Sequence, residues 1–178
     1  AQATPQAGGL PLVRRPPQPP QGLARRHPHI FPGAPGWDDG RVPTLSDLVR
    51  LQTDLDDADL EWLHSLVSDW QLLADLSFAD LVLWVAVDGG WLAVAHVRPT
   101  TGATVFFDDV VGTEVERGRR VQLDRAFDDA VICRERDPER TEDVPVREET
   151  IPVVRAGRPI AVMSRHTDLS TMRTPSRL

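Results

Sequence analysis

The 178-residue chain contains no lysine and a single cysteine, Cys133; all twenty of its strongly basic residues are arginine. One cysteine excludes an internal disulfide, a Cys-x-x-Cys redox pair and a thiolate zinc cage. It also fits a reducing cytoplasm. No apolar run approaches the roughly 18 to 20 residues needed to cross a bilayer, and the densest, 81–87, is the size of a strand. The amino end lacks the charged and apolar regions of a signal peptide, so the sequence predicts a cytoplasmic chain with no membrane contact. Also missing are a P-loop, a G-x-G-x-x-G turn, a His-Glu-x-x-His helix and a G-x-S-x-G elbow. Their absence removes the strong local signatures of nucleotide hydrolysis, dinucleotide binding, zinc proteolysis and acyl transfer, and the chain is not expected to be an enzyme by itself.

Charge is unevenly spread. Residues 1–43 hold five arginines against Asp38 and Asp39, net +3, whereas the remainder sets fifteen arginines against twenty-five acids, net −10. An acidic body repels phosphate backbones, which argues against a nucleic-acid partner. Ten of the sixteen prolines also fall in 1–43, among Gly, Gln and Arg. That segment has too few large apolar residues to offset the entropy of ordering it and reads as a disordered Pro/Arg-rich leader. Its Arg14 to Pro20 stretch has the spacing of a polyproline II ligand.

Order is predicted from Thr44, which can cap a short helix with Asp47 three residues on; Leu45, Leu48 and Leu51 then share a face. Asp56 and Asp57 mark a second start, and Leu60, Leu63, Val67, Trp70 and Ala74 recur at helical spacing, predicting one amphipathic helix over 57–76. Residues 81–87 are apolar on both parities, as in a central strand covered on both faces. An Asp-Gly turn then returns the chain along 91–97. Short strands at 103–107 and 110–115, a helix bearing Leu123, Ala126, Phe127 and Ala130, a charged loop over 134–149 and a hairpin at 149–165 complete the order. The result is an α+β domain, an antiparallel sheet with flanking helices over 44–170, with 171–178 as the start of a linker.

Candidate functional residues are few. His96, on the second strand with Leu92 and Val94, can line a pocket, and Cys133 needs a nearby cation such as Arg134 or Arg136 to become reactive. Trp84 and Trp91 read as core anchors. The doublets Asp56-Asp57, Asp108-Asp109 and Asp128-Asp129 read as solvated turns and helix ends, because adjacent side chains diverge.

The run Asp69-Trp70-Gln71-Leu72-Leu73-Ala74-Asp75-Leu76-Ser77-Phe78-Ala79-Asp80-Leu81 resembles the amino-terminal GAF-like sensory domain of soluble actinobacterial two-component histidine kinases of the PdtaS type. Arg98 to Val105, Val111-Gly112-Thr113, Ile151 to Arg155 and Ile160 to His166 resemble it too. The resemblance implies a GAF-like fold followed in the family by PAS and kinase regions, self-association as a homodimer, and phosphotransfer to a response regulator with an ANTAR RNA-binding output. It also implies a small-molecule cavity between the sheet and the loops crossing it. His96, Arg98, Thr113 and Cys133 would be its polar contacts and Phe106 a stacking surface. No residue identifies a cyclic-nucleotide or haem site, so no cofactor is assigned. The alternative is a free-standing ligand-binding protein, or a dimerisation scaffold whose cavity is filled by Phe106, Phe127 and Trp84. The long helix, through Trp62 and Leu66, is the expected dimer joint.

Overall fold

A computed structural model describes residues 43–134, 139–141 and 144–170. Residues 1–42 of the leader, Arg136 and the 171–178 linker lie outside the described residues. Helix α1 (Leu45–Gln52) and helix α2 (Asp57–Ser68) both begin with capping boxes, Thr44 with Asp47 and Asp56 with Asp59. Each satisfies two of the backbone N–H groups that a helix start leaves open. In α1 the inward pair is Leu48 and Val49, while Leu51 is 58% exposed. Leu45, Leu48 and Val49 follow the i, i+3, i+4 rule and leave Leu51 on the outer side, correcting the expected Leu45-Leu48-Leu51 face.

The helix expected over 57–76 is two helices, α2 and α3 (Trp70–Ser77), broken at Asp69 (φ −101°, ψ 4°). Ser68 Oγ turns back to the carbonyl of Ser65 at 2.7 Å, the local competition that makes Ser and Asp weak in helix interiors. The stripe survives the break, since Leu60, Leu63, Trp70 and Ala74 are buried and Val67 half-buried.

Strands β1 (Ala79–Val87) and β2 (Gly90–Val97) form the expected hairpin. Gly89 takes φ +76°, and a Cβ on Gly90 would stand 2.4 Å from the carbonyl oxygen of Val115, so both positions require glycine. The remaining elements are β3 (Glu114–Glu116), α4 (Val121–Asp128), β4 (Cys133–Arg134), β5 (Glu139–Thr141), β6 (Val144–Arg155) and β7 (Arg158–Asp168). Among the described residues the seven strands are all antiparallel, in the order β3-β2-β1-β7-β6-β4 with β5 on β6. Residues 103–107 form no strand, and of 110–115 only the last two residues pair. The reach of the closing hairpin is longer than expected, because β6 starts at Val144 within the segment read as a loop.

Two apolar layers sandwich the sheet. Leu81, Leu83, Val85, Leu92 and Val94 meet α1 to α3; Val82, Trp84, Trp91, Ala93 and Val162 meet α4. Fully burying one Leu or Val side chain is worth about 1.5–3 kcal/mol, so β1, covered on both faces, dominates the core. A bulge between Leu83 and Trp84 inserts an extra β2 residue, and an extra residue reverses the side-chain parity beyond it. His96 therefore lies opposite Val82 and on the other face from Leu92 and Val94, contrary to expectation.

The helical layer is tied to the far hairpin by Asp59. Its buried carboxylate accepts from Arg155 Nη1 at 2.8 Å and from Arg158 Nη2. Burial raises its pKa, but the two guanidinium bonds outweigh that and hold it below the usual carboxylate range. Because Arg155 and Arg158 remain 29% and 53% exposed, losing Asp59 strands no fully desolvated cation. Asp59→Asn is therefore expected to cost about 2 kcal/mol, below the full penalty for breaking a buried pair. Urea denaturation checks this, and a change under about 0.5 kcal/mol would assign Asp59 no anchoring role.

Candidate functional site

The α4 face of the sheet carries a buried polar row at the end where β1 begins. Asp80, fully buried, pairs in register with His166, which in turn pairs with Glu148; Val82, Ser164 and Thr150 form the next rung. Asp80 Oδ2 accepts from the backbone N–H of Val105 at 2.7 Å, and its Oδ1 accepts from Thr104 Oγ1 at 2.6 Å. These bonds strap the loop between β2 and β3 across the sheet. His96, with a side chain only 2% exposed, stands between two carboxylates: Nε2 is 3.6 Å from Asp80 Oδ1 and Nδ1 is 3.4 Å from Asp109 Oδ1. At 3.6 Å His96 Nε2 has no hydrogen-bond partner. Burial pushes the Asp80 carboxyl up, but His96, Thr104 and Val105 together hold it below its ordinary range.

Phe106 wedges edge-on between His96 and His166, with centroids 5.6 and 4.8 Å away. Behind it, Trp84 Nε1 donates to Ser164 Oγ at 2.8 Å, and Ser164 lies 2.9 Å from His166 Nε2. An indole N–H can only donate, so Ser164 Oγ accepts from Trp84 and also shares a hydrogen bond with His166 Nε2. Burial, then the Arg120 guanidinium, push the His166 pKa down to about 3, with Asp80 opposing and His96 adding to the drop. Arg120 lies 5.1 Å over Trp84 and pairs with Glu148.

The expected site residues divide. His96 and Phe106 are in contact, and Cys133 lies in the same apolar cluster as Phe106, with Leu123 and Ala126. Cys133 Sγ is 3.8 Å from the Val131 carbonyl, while Arg134 is engaged by Glu149 at 2.6 Å. Thr113 works through its backbone, closing a turn to Val110 and accepting from Ala93 N. Arg98 opens the strapped loop; its carbonyl accepts from Gln71 Nε2 at 3.1 Å, and its Nε is buried without a partner. Of the residues named as fillers in the scaffold alternative, Trp84 is buried, and Phe127 meets Trp91 edge-on at 5.3 Å. The expected solvated doublets are partly engaged, Asp109 with His96 and Asp128 with Arg117. Asp80, Ser164 and His166 were missed as site residues. Period-two reading of β7 puts Val162, Ser164 and His166 on one face, a polar run facing a core that could have flagged them. Among the described residues no group of three or more His, Cys, Asp or Glu is placed to hold a metal ion.

Residues 45–178 match the protein-family profile described as the GAF domain of the histidine kinase PdtaS. The chain is 37% identical over 145 residues to the sensor histidine kinase PdtaS of Mycolicibacterium smegmatis, covering 77% of this chain and 28% of that protein. It is 44% identical over 95 residues to PdtaS of Mycobacterium tuberculosis, covering 53% of this chain and 19% of that protein. The chain thus spans less than a third of these curated relatives. A solved structure of the sensor region of a sensor histidine kinase superposes with a TM-score of 0.61 at 34% identity, over 76% of this chain and 46% of that one. That likeness makes the fold GAF-like. No described helix is long and apolar enough to cross a membrane.

Neutral His166 sets a pH signature. The unfolded chain binds a proton there below about pH 6.5 and the folded chain only near 3, so folding stability is full above 6.5 and falls as pH drops below it. The slope approaches a ceiling of about 1.4 kcal/mol per pH unit. The lowered carboxylates act only below about pH 4, leaving 6.5 to 4.5 to His166. His166→Gln, which keeps an acceptor for Ser164, is expected to flatten stability across that window in denaturation at stepped pH; an unchanged slope would contradict the neutral assignment.

Proposed function

The chain belongs to the GAF-domain family of PdtaS sensor histidine kinases, and we propose that it is the signal-receiving module at the amino end of a cytoplasmic two-component kinase. On this reading PAS and kinase regions follow in the same protein, which acts as a homodimer, phosphorylates itself with ATP and passes the phosphate to an ANTAR-type antitermination regulator. The observation that carries the reading is the family match across nearly the whole described body, 45–178. The chain itself supplies sensing rather than catalysis.

The signal is a small molecule admitted beneath the strapped loop. Phe106 is the group it displaces, exposing His96 as a hydrogen-bonding edge, with Thr113 and Cys133 on the surrounding walls. Arg98, whose Nε is buried and unpartnered, is the cation for an anionic group on the ligand. A second reading, a scaffold that binds nothing, is favoured by one observation: Phe106 already fills the space between His96 and His166. Calorimetric titration with cyclic nucleotides and haem separates the two. Binding that weakens in both Arg98→Ala and His96→Ala supports the ligand site, whereas absence of heat with the parent chain favours the scaffold.

Signalling itself is tested at Asp109, which touches His96 from a solvent-exposed position. Asp109→Asn in the full kinase should leave the fold intact and change the autophosphorylation rate by about five-fold or more, the low end of ordinary coupling between sites. An unchanged rate would remove the strapped loop from the signalling path.

A further inference from the structure

Helix α3 is thinly anchored toward its C-terminus. Of its last four residues only Ala74 is buried, and a helix end with few buried contacts is easily opened. The residue that closes it, Phe78, lies in the left-handed region at φ 48°, ψ 46°. For a bulky side chain that conformation is costly and persists only where the surroundings hold it. Here the surroundings are the loop between β2 and β3. Asp75 Oδ1 accepts from the Thr100 N–H at 2.6 Å and from the Thr100 hydroxyl at 2.9 Å. Thr101 Oγ1 donates to the Asp75 carbonyl at 3.0 Å, and Gln71 Nε2 donates to the Arg98 carbonyl. The Thr100 N–H above all holds the Asp75 carboxyl below its ordinary range, against the opposing effect of desolvation. Gly102 rests so close to the Phe78 ring that a Cβ there would stand 3.3 Å from Cδ1. Five positions after Asp75, Asp80 holds Thr104 and Val105. Residues 75–80 and 100–105 are thus fastened to each other at both ends, with Phe78 between the two fastenings.

We propose that Phe78 is a sprung hinge between α3 and β1, kept in its strained conformation by the strapped loop, and that release of the loop at Asp80 frees the end of α3 through Asp75. This deepens the reading of the loop as the signal-receiving element, and its role in signalling rests on that reading. A ligand that displaced Phe106 would act directly on Thr104, whose hydroxyl lies 3.0 Å from the Phe106 carbonyl as well as 2.6 Å from Asp80 Oδ1. The coupling itself needs no ligand. Because a coupling free energy is reciprocal, a change at either fastening is felt at the other.

Hydrogen exchange of the 178-residue chain, read by mass spectrometry without added ligand, tests this. Thr104→Val removes a bond to Asp80 and touches no residue of α3, yet the amides of 74–78 should exchange about five-fold faster, the low end of ordinary coupling. Thr104→Ser keeps the hydroxyl and should leave them unchanged. Asp75→Ala should speed the amides of 104–106 by a similar factor, although alanine favours the helix it joins, and the double variant should add little to either effect. Should Thr104→Val not fold, Asp75→Ala and Thr100→Val, the latter at an exposed position, read the same coupling at 104–106. Acceleration confined to the substituted segment overturns the proposal. Equal acceleration of α4 overturns it too, by assigning the effect to global stability. Uncoupled segments would leave the ligand reading standing, and a titration without heat would leave this coupling untouched.

Discussion

Asp80 loses its hydration at the head of the central strand, and the α4 face of the sheet is arranged around replacing it. An ionised carboxylate without compensating bonds is among the costliest groups to bury. Here the replacement comes from one backbone N–H, one hydroxyl and the His96 imidazole, all from β2 or the loop that follows it. The consequence is architectural. A segment with no strand of its own is held across the sheet by a side chain rather than by a ladder, and Phe106 is carried with it into the gap between His96 and His166.

Asp59, on the opposite face, solves the same problem with different chemistry. Its partners are permanently cationic and partly wet, so that contact persists through any pH at which the carboxylate is ionised. Asp80 depends on neutral donors and on an imidazole poised between it and Asp109. One face is thereby held by permanent cations and the other largely by neutral groups.

Most of the architecture was legible because it rests on local rules. The two capping boxes, the both-face burial of β1 and the glycine turn at 89 are properties of neighbouring residues. The failures have a common cause in non-local or off-period effects. A single bulge reversed the facing of His96, and a serine bonding back to the helix broke what periodicity read as one helix. The loop at 103–107 has strand-like residues, yet its backbone is committed to Asp80, more than twenty positions earlier. Asp80 lies on β1, more than 80 residues before Ser164 and His166 on β7, and meets them only in the folded sheet, so no window along the chain could join it to them.

Strand β7 joins the two faces physically. Its His166 meets Phe106 and is bonded to Ser164, and its Ile160 and Ala161 lie in the layer beneath the helices, while its last residues pair with the strand that α3 feeds. A ligand that displaced Phe106 would have to rebuild the contacts of His166, on a strand whose end is two positions further along. Packed strands shift between discrete arrangements more readily than they deform smoothly. A change at His166 therefore has a short mechanical route to the point where the chain leaves the domain, with no residue of the helical layer needed to relay it.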